Sequence, residues 1–446
     1  MNVPTKPILV RGNILHFLAD PGHGDPAAGA FEYIEDGALF IENGQVRRCG
    51  SWDDVLASLP DLSRDSARYY SYLGKLIMPG LVDTHTHYPQ IGVVGAFGRQ
   101  LLDWLRDYTF PAEKACADPA FAARSADFFI ERLLAHGTTT AAVYATVHPQ
   151  SVDAFFSQAR RRDLRMICGK VLMDRNCPEY LRDTPQCALS ESAELIERWH
   201  GKGRLTYAVT PRFAPTSSPE QLAVAGELFR AHPGVMLQSH LSENPAEIAW
   251  VRELFPAQED YLGVYESFGL TGPGAIYGHG IHLSASERQR LAASGTAIAL
   301  CPGSNQFLGS GFADEAALAA DGVNLGLATD VGGGPSLSML RAMAAAYVAA
   351  QALGQVLTPW RAWYLATLGG AQALRQDAFI GNFALGKEAD FIVLDTDCIP
   401  ELAWRLQGVS DLGERLFATM MLGDERVIHA THVLGERRLV REEGCA

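Results

Sequence analysis

Between residues 77 and 384 the chain alternates short apolar runs with longer stretches of helical pattern. The apolar runs fall at 77–85, 138–147, 164–173, 204–212, 235–241, 275–281, 296–301 and 324–329. Helix-like segments such as 121–135, 190–199 and 219–231 lie between them. Eight strands with interposed helices predict a parallel α/β architecture, and closure of that sheet gives a (β/α)8 TIM-like barrel. Thr358 followed by Pro359 makes a good N-cap with proline at the first helical position, so a last helix is predicted from there to about residue 374.

The two ends follow a different pattern. Residues 1–76 and 385–446 hold strand-like patches with turn residues, for example at 38–41, 391–394 and 432–434. They are predicted to pair into one small β-sandwich domain made from both termini, with residues 77–384 forming the barrel. Internal repeats, low-complexity tracts and long linkers are absent from the sequence.

Bulk composition narrows the function. The 446 residues are 48% hydrophobic and 20% charged, as in an ordinary globular protein large enough for one big domain and a smaller one. A net charge of −14 without a basic block argues against nucleic-acid binding. Met1 to Val10 lacks a signal-peptide apolar core, and no run is long enough to span a membrane. The eight cysteines are scattered without a CxxC pair, which reads as reduced thiols in a cytoplasmic enzyme.

The chemistry is concentrated at the ends of the apolar runs. His85 and His87 close the first run, and alternation along a strand puts both imidazoles on one face, about 7 Å apart. His240 ends the run at 235–237, His279 follows Tyr277-Gly278, and Asp330 ends Leu325 to Thr329. Ligand-type residues at the C-terminal ends of several barrel strands are where such a fold gathers its catalytic groups. Three histidines and a carboxylate suit zinc or iron(II) and leave room for a water, whose pKa a divalent metal can bring to about 7. Glu243 lies three residues after His240. An extended backbone would send the two to opposite faces, so Glu243 is expected on the turn beyond the strand, as a proton shuttle. A cytidine-deaminase site is excluded, because neither Cys177-Pro178 nor Cys301-Pro302 belongs to a PCxxC element. Related two-metal barrels use a carboxylated lysine as a bridge. Lys170 lies in the third run and the fourth has no lysine, so one metal is favoured.

Pro79-Gly80-Leu81-Val82-Asp83-Thr84-His85-Thr86-His87 and Leu385-Gly386-Lys387-Glu388-Ala389-Asp390-Phe391 resemble the general marks of the amidohydrolase superfamily. Narrower marks resemble the guanine deaminases within it: Tyr88-Pro89-Gln90, Leu101 to Leu105, Tyr108 to Pro111, Thr146 to Asp153, Thr210 to Ser217, Ser239 to Asn244, Cys301 to Asn305 and Thr329 to Gly334. Gly303 departs from that pattern where a polar residue is usual, and Pro335 where a threonine is common. The resemblance implies deamination of guanine to xanthine and ammonia in purine catabolism or salvage, by a homodimer with one zinc per chain, iron(II) being the alternative. It implies that His85, His87, His240 and Asp330 bind the metal, with His279 either a fifth ligand or a partner of the water. Gln90, Arg212, Phe213 and His240 would hold the purine, while Glu243, Asp330 and His279 would carry the proton transfers. Arg212 is a donor suited to the O6 and N7 edge, and Phe213 offers an aromatic contact.

Two other readings compete. Another deaminase of the superfamily, acting on an oxidised purine, cytosine or a triazine, would share the ligands and differ at Gln90 and Arg212-Phe213. A barrel that has become an interaction protein should have lost a ligand or the shuttle acid, and this chain retains them all.

Overall fold

A computed structural model describes residues 6–60, 66–97 and 100–441. The extreme ends of the two terminal segments therefore lie outside the described residues. Eight parallel strands follow one another around a nearly closed barrel: Leu81–His87, Thr138–Tyr144, Arg165–Gly169, Leu205–Pro211, Met236–Leu241, Ala275–His279, Ala297–Leu300 and Asn324–Leu327. A two-residue piece, Val171–Leu172, pairs beside the fourth. They fall in the eight runs expected from the sequence, except that residues 77–79 of the first run belong to the terminal sheet, paired with Phe391–Val393. Val82, Ala142, Ile167, Ala208, Met236 and Ile276, one from each of the first six strands, pack together in a single buried cluster.

The barrel closes between its first and last strands through side chains as well as backbone. Thr84 Oγ1 donates to the carbonyl of Leu327 at 3.0 Å, and the Thr329 N–H donates to Asp83 Oδ1 at 3.0 Å. Asp330 N–H reaches the carbonyl of His85 at 2.9 Å. Two ligand-type residues are thereby tied to each other by the seam itself.

The terminal segments form a seven-stranded sheet, in the order Glu436–Val440, Ile428–Val433, Phe391–Leu394, Arg68–Pro79, Ile8–Phe17, Phe31–Glu42, Gln45–Ser51. Arg68–Pro79 runs through Gly80 directly into the first barrel strand. A side chain at Gly80 is excluded, since its Cβ would lie 2.1 Å from Thr139 Oγ1. Two features differ from the sequence expectation. The helix begun at Thr358 stops at Leu365 and resumes as Leu368–Ala373, because Thr367 leaves helical geometry at φ −130° and ψ −98°. The C-terminal segment also contains helices Pro400–Arg405 and Leu412–Leu422.

A buried charge network couples sheet and barrel. Arg165 donates to Glu388 and to Gln376, and Arg204 donates to Glu388 and Asp390. Asp390 also accepts the Leu434 N–H at 2.9 Å, and its backbone carbonyl accepts that of Gly80. The acidic residues of the Gly386-to-Phe391 motif thus anchor the bottom of the barrel. Asp390→Ala would leave the buried Arg204 guanidinium with only Glu388, which it already shares with Arg165, and removing one partner from a buried ion network costs up to about 3–5 kcal/mol. The expected result is a markedly lower urea midpoint with an unchanged slope. A midpoint near that of the unmodified protein would show the network to be dispensable.

Candidate active site

At the C-terminal ends of the barrel strands the ligand-type side chains converge. His85 and His87 present their Nε2 atoms 3.2 Å apart, and Asp330 Oδ1 lies 3.4 Å from the first and 3.2 Å from the second. The His240 ring stands edge-on to His85 at 4.7 Å and stacks on His279 at 5.4 Å. Donor atoms of His85, His87 and His240 all lie within 4.8 Å of one another, as do those of His85, His279, Cys301 and Asp330.

The donor chemistry fits a divalent metal. Ligand bonds of about 2.0–2.2 Å in tetrahedral array put neighbouring donors about 3.3–3.6 Å apart, close to the spacings seen among His85, His87 and Asp330. His240 Nδ1 meets the carbonyl of Arg212 at 2.7 Å, and His279 Nδ1 meets Asn305 Oδ1 at 2.8 Å. Both partners can only accept, so each Nδ1 carries the proton and each Nε2 keeps its lone pair for a metal. His279 Nε2 is buried without a hydrogen-bond partner, an orphan that such an ion or its water would satisfy.

Backbone geometry aims these groups. His279 and Asp330 adopt φ of +75° and +49°, a region that side-chain-bearing residues seldom occupy and that costs of order 1–3 kcal/mol. Each turns the chain at the end of its strand. Gly278 precedes the first of these turns, and a Cβ there would lie 2.6 Å from His85 Cε1. Ser242, at φ +50°, makes the equivalent turn after the fifth strand and delivers Glu243 into the same cleft. Glu243 sits there with Oε1 accepting from Ser310 at 3.2 Å and Oε2 3.4 Å from His279 Nε2.

Burial sets the protonation states. Desolvation pulls His87 down to about 3 and also lowers His85 and His240, keeping the rings neutral. Burial acts to raise Asp330, yet hydrogen bonds with His85 and His87 outweigh it and hold the carboxyl well below its usual range. Glu243 moves the other way. Desolvation, then repulsion from Asp330, pushes it up to about 8. Two carboxyls in one cleft are thus set apart, one ionised and one carrying a proton at neutral pH.

The cleft, with its mouth, spans about 400 Å³. Its walls include Gln90, Trp104, Leu105, Arg212, Phe213 and Leu308 beside the ligand group. Two functional groups here escaped the sequence reading. One is Glu113, wholly buried on the short helix Phe110–Lys114, which accepts Arg212 Nη1 at 2.7 and 2.8 Å and Gln90 Nε2 at 3.0 Å. The other is Asn305, which holds His279. Glu113 belongs to no ligand-spacing motif, although a buried arginine implies a carboxylate partner somewhere. Asn305 did lie in a noted motif, as the last residue of Cys301 to Asn305.

Other polar residues near the strand ends have structural places. Lys170 Nζ pairs with Asp183 and lies 3.3 Å from Glu191, so its ammonium is engaged outside the ligand group. His282 is satisfied by the carbonyl of Ser310. In the motif Thr146 to Asp153, Ser151 Oγ donates to the His148 carbonyl and accepts from the Thr146 N–H, while the Ser151 carbonyl accepts from Tyr88, next to His87. The two departures noted above are neighbours: a Cβ on Gly303 would lie 3.6 Å from Pro335 Cδ, in ordinary contact.

Residues 76–437 match the Amidohydrolase family. The chain is 47% identical to the guanine deaminase of Escherichia coli (strain K12) over 433 residues, 97% of each chain. The solved E. coli guanine deaminase superposes with a TM-score of 0.94 at 46% identity, covering 97% of this chain and 100% of that one. A guanine deaminase from C. acetobutylicum, solved with guanine in its active site, gives a TM-score of 0.86 at 28% identity and covers 97% and 100%. Among the described residues, no helix is long and apolar enough to cross a membrane.

Proposed function

The chain belongs to the amidohydrolase family, and on that premise we propose that it is a guanine deaminase, converting guanine and water to xanthine and ammonia. The observation that carries this reading is the meeting in one cleft of a metal-type donor group, the buried carboxyl of Glu243 and the donor side chain of Arg212 beside Phe213. The same reading divides the chain into a barrel, 77–384, and a composite β-domain, 1–76 with 385–446.

His85, His87, His240 and Asp330 would hold one divalent ion, zinc in preference to iron(II), with His279 beside them. Such an ion supplies the Lewis acidity that makes a water nucleophilic at neutral pH. The protein's own groups perform the remaining steps. Arg212 donates to the O6 and N7 edge of the purine, Gln90 adds a polar contact, and Phe213 packs on the ring. Asp330, held ionised, takes a proton from the water as it attacks C2. Glu243, held protonated, gives its proton to a ring nitrogen, which lets C2 become tetrahedral without full charge on the ring. Asp330 then gives its proton to the exocyclic amine while Glu243 recovers one from the new C2 hydroxyl, so that the C2–N bond breaks, ammonia leaves and C2 becomes the carbonyl of xanthine. His279, fixed by Asn305, lies 3.4 Å from Glu243 Oε2 and 3.8 Å from Asp330 Oδ2, in reach of both proton carriers.

Ammonia release across a panel of purines, pyrimidines and triazines tests the assignment. Turnover of guanine above the rest is expected, and turnover of cytosine or a triazine without guanine would reject it. Elemental analysis of protein purified without added metal should find one equivalent per chain, and His240→Ala should lower metal content and activity together. Two equivalents would reject the single-ion site.

A further inference from the structure

We infer that Glu113 is a positioning residue that sets the preference for a 6-oxo over a 6-amino purine, by locking the Gln90 amide and fixing the Arg212 guanidinium. The inference rests on the guanine reading and deepens it.

Gln90 is held at both ends of its amide. Its Nε2 donates to Glu113 Oε1 at 3.0 Å, and its Oε1 accepts the Gly332 N–H at 3.2 Å. An ionised carboxylate only accepts and a backbone N–H only donates, so the amide has one orientation. Reversing it would set oxygen against carboxylate and NH₂ against N–H. Arg212 is constrained by the same carboxylate, with Nη1 bridging its two oxygens at 2.7 and 2.8 Å. The N–H groups on Nε and Nη2 remain for a ligand, and they can only donate.

The consequence concerns the edge of the purine that these residues meet. A carbonyl at position 6 accepts from the arginine, whereas an amino group there needs an acceptor. Gln90 Oε1 belongs to the cleft wall beside Arg212 and would be an acceptor if it were free to turn, but the Glu113–Gln90–Gly332 chain keeps that oxygen committed. Glu113 itself is spent on Arg212 and Gln90. The lock therefore denies a 6-amino purine its partner, and a site with fixed polar groups discriminates by leaving the wrong substrate unpaired.

Glu113→Gln tests this directly. The amide can offer oxygen or NH₂ to Gln90, so the lock is lost while size is kept. Guanine and 2,6-diaminopurine carry the same amine at C2 and differ at position 6. The ratio of their kcat/KM values should fall about 10–100-fold in the variant, the scale of one hydrogen bond to a charged group, with the change chiefly in KM. A purely structural Glu113 would lower both rates in proportion, and an unchanged ratio overturns the inference. Should the Gln variant fail to fold by thermal unfolding, Glu113→Asp preserves the charge facing Arg212 but is one methylene too short to hold Arg212 and Gln90 together. It should lower the ratio too, and an unchanged ratio there counts equally against the inference. Absence of ammonia release from guanine by the unmodified protein would defeat the guanine reading, whereas an unchanged ratio in an active variant defeats the role of Glu113 alone.

Discussion

Glu243→Gln is expected to leave metal content near that of the unmodified protein while turnover falls by about 10²–10⁴-fold, the usual contribution of a general acid–base group. The amide has nearly the shape of the protonated carboxyl that burial favours at this position. It can keep the contact with Ser310 and the neighbourhood of His279. What it loses is a transferable proton. The substitution should not destabilise the fold, and the sign of the effect follows from linkage. The folded carboxyl keeps its proton to about 8, against an ordinary value of 4.5, so unfolding releases a proton between those limits. Stability therefore declines as pH rises through that window, and removing the carboxyl removes the decline. Steady-state assays alongside elemental analysis decide the matter. Turnover near the unmodified level would take Glu243 out of the mechanism, and lost metal would make it a prop of the ligand group.

The metal-type group was legible in the sequence for a geometric reason. Each of its members ends an apolar run, and a barrel gathers the C-terminal ends of its strands at one face. His85-Thr86-His87 could be read as a pair because alternation along a strand is strict. Glu113 was opaque for the opposite reason. It sits on a five-residue helix, 99 residues from Arg212 and 23 from Gln90, and no local pattern links a helix to a strand that far away. The left-handed turns at His279 and Asp330 were equally hidden, since histidine and aspartate, though enriched at positive φ, adopt it only in a minority of cases. The break at Thr367 went unseen because the residues around it, from Trp363 to Ala373, are almost all apolar or small. They pack into the core as two pieces as well as they would as one. The final helices, 400–405 and 412–422, lay in a segment whose strand-like patches set the expectation for the whole of it.

The structure also changes how Arg212 must be tested. Arg212→Ala alone would leave Glu113 buried without its cation, an arrangement that costs about 3–5 kcal/mol and confuses lost recognition with lost stability. Replacing the pair together, as Arg212→Met with Glu113→Gln, removes the charge and its counter-charge at once, and buried pairs exchanged for neutral groups of similar volume are often tolerated. In that double variant kcat/KM for guanine should fall by about 10³–10⁵-fold, the scale on which a polar site loses its matched substrate. 2,6-Diaminopurine, which presents an amine where guanine presents O6, should lose far less, so the preference shrinks toward the intrinsic reactivity of the two rings. Metal content supplies the control. His240 is oriented by the backbone carbonyl of Arg212, not by its side chain, so the substitution should leave the ion bound. A guanine preference that survives in a folded, metal-loaded double variant would show that Arg212 braces the pocket wall without reading the purine.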